Sequence, residues 1–218
     1  MKLNTYRTVD FTSDCNILDD VELSNQYCGL FRCPLHKVGE VMEDFTPFML
    51  EAMSMLVSEG HDPCEWEVDL KIHMLMEWQV PAIPNIHCDN VPRVEGKTRY
   101  DLIEPDVPPM YLWVSDEPTT EFICRDWNTK DYTPTSHGDL SEYIKLKAKD
   151  GLHMQKIPPK TWVKMNQKTP HRATVATKAG WRVFCRLTHS SITPVRPVDS
   201  SYIRRHCQVY LDCNKFSW

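Results

Sequence analysis

The stretch TPHRATVATKAGWRVFCRL, residues 169–187, carries His171 and then an apolar run, Trp181 to Leu187, that holds Arg182 and Arg186. Side chains alternate along a strand, so two arginines four apart share a face. A charged group among apolar neighbours needs an anionic partner, because burying it unpaired is costly. The complementary stretch is PNIHCDN, residues 84–90. On extended backbone His87 and Asp89 enter one cavity together, while Cys88 points away. His171 must then come from a second strand lying opposite, for which a separation of 84 residues is no obstacle. Two imidazoles and one carboxylate are the ligand set of a non-haem Fe(II) site that keeps coordination positions open. An arginine beyond the distal histidine can hold the carboxylate of an acidic co-substrate through a bidentate pair.

In this ordered set the chain resembles the 2-oxoglutarate/Fe(II)-dependent oxygenase superfamily, over roughly residues 80–190. Two further stretches carry the likeness. YLWVSDEPTTEFI at 111–123 looks like the strand, turn and threonine that follow the first motif, and the segment from Ile157-Pro158 to Trp162-Val163 looks like the one preceding the distal histidine. The resemblance implies a double-stranded β-helix, a jelly-roll variant, with His87, Asp89 and His171 as iron ligands. It implies that Arg182 binds the distal carboxylate of 2-oxoglutarate and that Thr120 hydrogen-bonds it, with Arg186 as the competing arginine. It also implies Fe(II), 2-oxoglutarate and O2 as metal, co-substrate and oxidant. The expected outcome is hydroxylation, or oxidative demethylation where the carbon sits on nitrogen.

Two other constellations compete. His137-Gly138-Asp139 is a second H-x-D, but only 32 residues separate Asp139 from His171, which leaves little chain for intervening strands. Asp139 precedes Leu140, Tyr143 and Ile144 and reads as a helix N-cap. Cys28, Cys33 and His36, with Cys64 and His73, fit no standard zinc spacing; small buried hydrophobes are the plainer reading of such cysteines.

The 218 residues suit one domain with a sizeable core. Sixteen prolines against seven glycines favour a β core with long connections. The N-terminal residues lack the apolar run of a signal peptide, no stretch approaches eighteen apolar residues, and nine cysteines without a signal suit a reducing, cytoplasmic setting. Residues 1–139 hold 10 Lys/Arg against 26 Asp/Glu, and residues 140–218 hold 15 against 4. Strands from both halves of a jelly roll interleave, so this polarity need not become a surface patch.

Residues 37–60 show apolar positions at helical spacing, Val41, Phe45, Phe48, Met49, Ala52, Met53, Leu56 and Val57, with Pro47 as a kink and Gly60 as a stop. This helix is expected to back the main sheet. Residues 65–78 read equally as helix or long strand. Strands are expected at 82–89, 109–115, 121–125, 161–165, 171–177 and 181–188. Residues 140–157 read either as a hairpin turning at Asp150-Gly151 or as a helix ended by Gly151, and 202–210 as a final strand or short helix. The organisation is thus a helical support at 1–80, a jelly-roll core at 81–190 and an extension at 191–218.

The substrate is expected to be a small molecule or protein side chain that carries an anionic group, received by Arg186 with help from Arg93; the equal alternative for Arg186 is a structural salt bridge to an acidic residue of the first half. A nucleotide or nucleic-acid base is a second candidate, although overall acidity and the lack of a long basic run weaken a duplex reading. A different class altogether is a non-enzymatic, cupin-like binding module, which would keep the fold without a working metal centre.

Overall fold

In the segment Trp66–Leu75, Val68, Leu70 and Ile72 alternate with Asp69, Lys71 and His73. Period-two alternation is the signature of a strand with one apolar face, and this stretch is a ten-residue strand, which resolves the ambiguity at 65–78. The computed structural model describes residues 1–11, 19–25, 29–129, 132–148, 151, 153–192, 203–204 and 210–211. Eight strands carry the architecture: β1 (Gly29–Pro34), β2 (Trp66–Leu75), β3 (Met110–Val114), β4 (Thr120–Ile123), β5 (Met154–Lys156), β6 (Val163–Met165), β7 (His171–Ala173) and β8 (Gly180–His189). The two main helices are α1 (Thr46–Ser58) and α2 (His137–Lys147). The protein is mainly β, with antiparallel sheets and a few helices.

The large sheet runs in the order Ile203–Arg204, β1, β2, β8, β3, β6, Arg7–Thr8. A smaller sheet runs β5, β4, β7. The backbone of the large sheet is the β2–β8 ladder, paired from Trp66↔His189 to Leu75↔Gly180. Its two faces separate cleanly. Val68, Leu70 and Ile72 of β2, Tyr111 and Trp113 of β3, and Val183, Cys185 and Leu187 of β8 join one core with Phe48, Met49 and Ala52 of α1. The Phe48 and Trp113 rings lie 4.7 Å apart. The other face points Asp69, Lys71, His73, Leu112, Arg182, Phe184 and Arg186 toward the small sheet. Behind the small sheet, Ile123 packs with Ile86, Cys88, Tyr100 and with Leu140 and Ile144 of α2. The layers are therefore α1, large sheet, small sheet, α2.

Several expectations change at proline and at caps. The long helix at 37–60 is broken at Met42, and α1 starts at Thr46 with Pro47 in its first turn, where a missing N–H costs nothing. Met55 is buried in the stripe, while Val57 is exposed. Gly60 has a φ of 84°, as the stop requires. The strand expected at 82–89 is absent: Pro81 and Pro84 withhold ladder donors, and only His87 makes a bridge. The stretch after 137 is helical to Lys147, and Gly151 has a φ of 88°, while Asp150 lies outside the described residues. Of the tail, Ile203–Arg204 and Tyr210–Leu211 are strands, and the rest of 202–210 lies outside them. No helix among the described residues is long and apolar enough to cross a membrane.

Glu59 ties α1 to the large sheet. It accepts from Arg7 at 2.6 Å, from Lys164 of β6 at 2.8 Å and from the Tyr111 hydroxyl of β3 at 3.2 Å. Burial pushes its carboxyl up, but hydrogen bonds and charge from Lys164 and Arg7 outweigh that and lower it to about 2. A carboxyl lowered on folding stabilises above its unfolded value, about 4.3, and loses that stabilisation as pH falls through the folded value. Glu59→Gln is expected to cost about 1.5–3 kcal/mol at pH 7, the usual range for hydrogen bonds to charged groups. Urea denaturation of both proteins should show this gap shrinking between pH 4.3 and pH 2; an unchanged gap at low pH would contradict the assignment.

Candidate metal centre

His87 and His171 form an isolated antiparallel bridge. Each donates its backbone N–H to the other's carbonyl at 2.9 Å. Residues directly opposite in such a pair send their side chains to the same face. The two imidazole centroids stand 4.7 Å apart, and both residues are buried. Asp89, two residues past His87, follows onto that face, while Cys88 packs into the core behind the small sheet. Asn90 then turns the chain at a φ of 53°, a conformation asparagine tolerates. A stretch that is not a strand thus still obeys strand parity for three residues, because the bridge to His171 holds it extended.

The ring nitrogens are already sorted. His87 Nδ1 faces the carbonyl of Asn85 at 2.8 Å, and His171 Nδ1 faces that of Thr169 at 3.0 Å. Carbonyls can only accept, so both Nδ1 atoms carry the proton and both Nε2 atoms present a lone pair. Those lone pairs look at Asp89: each Nε2 is 3.6 Å from a different carboxylate oxygen. That is too long for a good hydrogen bond. It suits donor atoms that share an ion, whose bonds of about 2.1 Å leave ligands about 3 Å or more apart. Among the described residues this is the one group of His, Cys, Asp or Glu arranged to hold a metal, with ligand atoms within 4.8 Å of one another. Burial and the neighbouring His171 lower His87 to about 4, against the opposing pull of Asp89, so its imidazole is neutral at pH 7. Backbone carbonyls that fix the tautomer are what a metal-binding histidine needs behind it.

Asp89 is itself held from the large sheet. Arg186 donates from Nη1 to Asp89 at 2.7 Å and pairs through Nε and Nη2 with Asp69, its direct cross-strand neighbour on β2. Burial pushes the Asp89 carboxyl up, but the charges facing it, the Arg186 guanidinium first among them, outweigh burial and keep it well below the usual carboxylate range. For Arg186, burial acts to lower the value, and Asp89 and Asp69 more than reverse that. On sequence alone Arg186 is open equally to an anionic substrate and to a structural salt bridge with an acidic residue of the first half, and the second is what forms. Its charge is met by two carboxylates of the chain itself, so it serves as a clamp on Asp89. Arg93, its expected helper, is exposed on a short hairpin, Arg93–Val94 against Lys97–Thr98, and does not line the cavity.

The metal group opens onto a cavity of about 160 Å³ between the two sheets. Arg182 and Thr120, expected to anchor and hydrogen-bond a co-substrate, both line it and are both buried. Arg182 Nε donates to the carbonyl of Pro118 at 2.7 Å, which fixes the guanidinium against the wall. Phe184, Leu112, Ala173 and Ile83 supply apolar surface.

The rival H-x-D has a different task. Ser136, not Asp139, caps α2, accepting from the Asp139 N–H at 3.0 Å. The Asp139 carboxylate binds Thr135 and Tyr132 instead. His137 does approach the centre: its ring lies 5.6 Å from that of His87, and it shares a 2.9 Å hydrogen bond with Tyr100. Its neighbourhood to His87 depends on tertiary packing that no motif announces. Asp69 and Lys71 carry no motif, and His73 figures only in the zinc set, although their alternation with Val68, Leu70 and Ile72 is a readable signal. Cys28 of the proposed zinc set lies outside the described residues, Cys33 is buried and Cys64 exposed.

No family model matches the chain, and neither does any curated protein or solved structure.

Calorimetric titration with Mn(II) should give one site per chain, lost on His87→Ala, Asp89→Ala or His171→Ala. Full affinity in any of the three would remove that residue from the centre. Arg186→Met should cost about 3–5 kcal/mol in metal-free protein, because Asp69 and Asp89 are left as buried carboxylates without their cation. Mn(II) should then raise the melting temperature of this variant more than that of the wild type, since an ion neutralises Asp89. Equal stability with and without Arg186 would show that the clamp carries no energy.

Proposed function

We propose that the chain is an Fe(II)- and 2-oxoglutarate-dependent oxygenase on a double-stranded β-helix. The observation that carries this reading is a shared cavity. Two Nε2 lone pairs and one carboxylate meet at one end of it, and the buried Arg182 lines the same space. The strand orders support the fold: β2-β8-β3-β6 in the large sheet faces β7-β4-β5 in the small one, with the His87 segment beside β7.

On this reading His87, Asp89 and His171 hold the iron, which when bound would supply the redox chemistry that couples O2 to oxidation of a substrate carbon. The chain's own residues do the rest. The carbonyls of Asn85 and Thr169 hold both imidazoles in the ligating tautomer. Arg186 keeps Asp89 ionised and aimed. Arg182 receives the distal carboxylate of the co-substrate and Thr120 hydrogen-bonds it. Phe184, Leu112 and Ala173 keep the site poor in water, which strengthens each of these charge contacts. The product is a hydroxylated, or oxidatively demethylated, small molecule or side chain.

Anaerobic protein given Fe(II) and 2-oxoglutarate should develop a weak visible charge-transfer band, and exposure to O2 should yield succinate. Arg182→Met should raise the 2-oxoglutarate requirement at least tenfold, about 1.4 kcal/mol or more, with Fe(II) affinity unchanged. One bound Fe(II) with neither band nor succinate would overturn the oxygenase reading and favour a metal-dependent binding module. The tenfold effect in Arg186→Met but not in Arg182→Met would move the co-substrate anchor.

A further inference from the structure

A second cleft, of about 460 Å³, lies at the C-terminal end of α2 and shares no lining residue with the metal cavity. Arg125, Asp126, Trp127 and Asn128, which follow β4, supply part of its lining, and Tyr143 and Lys147 of α2 supply the rest. Small-molecule sites have volumes of about 300–1,000 Å³. The two rings of the lining are fixed by packing. Trp127 is buried in the core behind the small sheet, and Tyr143 packs against that core. Tyr143 also stacks on Tyr132, with centroids 4.4 Å apart and planes 4° from parallel. The Tyr132 hydroxyl donates to Asp139, which holds that ring in turn.

The charges of the lining do not cancel. Asp126 is its one acid, and that acid is taken: Lys2 pairs with one oxygen at 2.6 Å, and the Thr5 N–H donates to the other at 3.3 Å. Arg125 and Lys147 form no ion pair among the described residues. Each lies over a ring instead, the Arg125 guanidinium carbon 4.7 Å from the Trp127 centroid and Lys147 Nζ 5.9 Å from that of Tyr143. An aromatic face attracts a cation without neutralising it, so both keep N–H donors for an anion. Both are exposed, as is Asn128, whose backbone pairs with Lys2. Glu142 and Lys145, the other charged residues of this part of α2, lie outside the lining.

We propose that this cleft binds a nucleoside phosphate, its base against the Trp127 and Tyr143 rings and its phosphate received by Arg125 and Lys147. The ligand class follows from the pairing of two features. A simple anion would use the cations and leave the rings idle, and a neutral aromatic molecule would do the reverse. A planar base joined to a phosphate uses both, and stacking on rings already held in place costs little ordering. The Asn128 amide, with a donor and an acceptor, can meet the polar edge of a base. A free nucleotide and one unit of a single strand offer the same chemistry. The site stands apart from the metal centre and does not rest on the oxygenase reading.

The test is calorimetry on the metal-free full chain with AMP, adenosine, ribose 5-phosphate and single-stranded oligoadenylate. AMP should bind saturably, with adenosine, which lacks the phosphate, and ribose 5-phosphate, which lacks the base, each at least tenfold weaker. The double variant Arg125→Met with Lys147→Met should lose at least tenfold in AMP affinity, and Tyr143→Leu at least fivefold. Lys145→Met, on the same helix but outside the lining, should stay within twofold. The lysine and arginine changes are at exposed positions, so an unchanged Tm in these variants separates a lost site from a lost fold. Oligoadenylate bound more than tenfold tighter than AMP identifies a single strand as the source of the ligand; any smaller gain identifies the free nucleotide. No saturable binding of AMP or oligoadenylate would overturn the proposal. So would adenosine or ribose 5-phosphate binding as well as AMP, or AMP affinity unchanged in the double variant. A loss in Lys145→Met equal to that in the double variant would overturn it too, by reducing the effect to general surface charge.

Discussion

One pair of backbone hydrogen bonds governs the site: the reciprocal N–H to carbonyl contacts between His87 and His171. The first histidine sits in a proline-bounded segment that forms no strand of its own. The second sits at the start of β7, whose other side is paired with β4. Locking one against the other sets both imidazoles on the same face, brings Asp89 in behind them and sends Cys88 into the core. A loop that carries two of the three candidate ligands is thereby given the precision of a sheet, and precision of this kind is what a metal centre demands of its scaffold.

The second constraint is electrostatic and comes from the opposite sheet. Asp89 would be a poor ligand if burial protonated it. Arg186 prevents that and is shared with Asp69, so one cation sits between two carboxylates on a line from β2 through β8 to Asp89. Each member would be costly alone in this setting. Their joint presence links the two sheets across the cavity and makes the metal group dependent on the large-sheet register. The neighbouring rungs carry Lys71 and Arg182 into the same cavity.

Parity made much of this legible in the sequence. His87 with Asp89, and Arg182 with Arg186, were placed on common faces by two-residue alternation alone, and the cavity contains all four. The strand assumed around His87 was not there, yet the conclusion held because a single bridge imposes the same local geometry. What stayed hidden depends on register between distant segments. Nothing local says that Asp69 lies across from Arg186, 117 residues away in sequence, so the sequence leaves that arginine open between an anionic ligand and a salt bridge to some acidic residue of the first half. Likewise His137 was read only as a rival motif, whereas the packing of α2 behind the small sheet sets it beside His87. The segment 65–78 was readable but was read as ambiguous, and with it went Lys71 and His73.

The central claim is that His87, Asp89 and His171 hold one metal ion between them. The most direct measurement is anomalous diffraction at the iron edge from crystals grown anaerobically with Fe(II). The account predicts a single strong peak at bonding distance from the two Nε2 atoms and from an Asp89 oxygen, with Arg186 still paired to Asp69. Density without an anomalous peak there, or iron bound elsewhere on the chain, would contradict it.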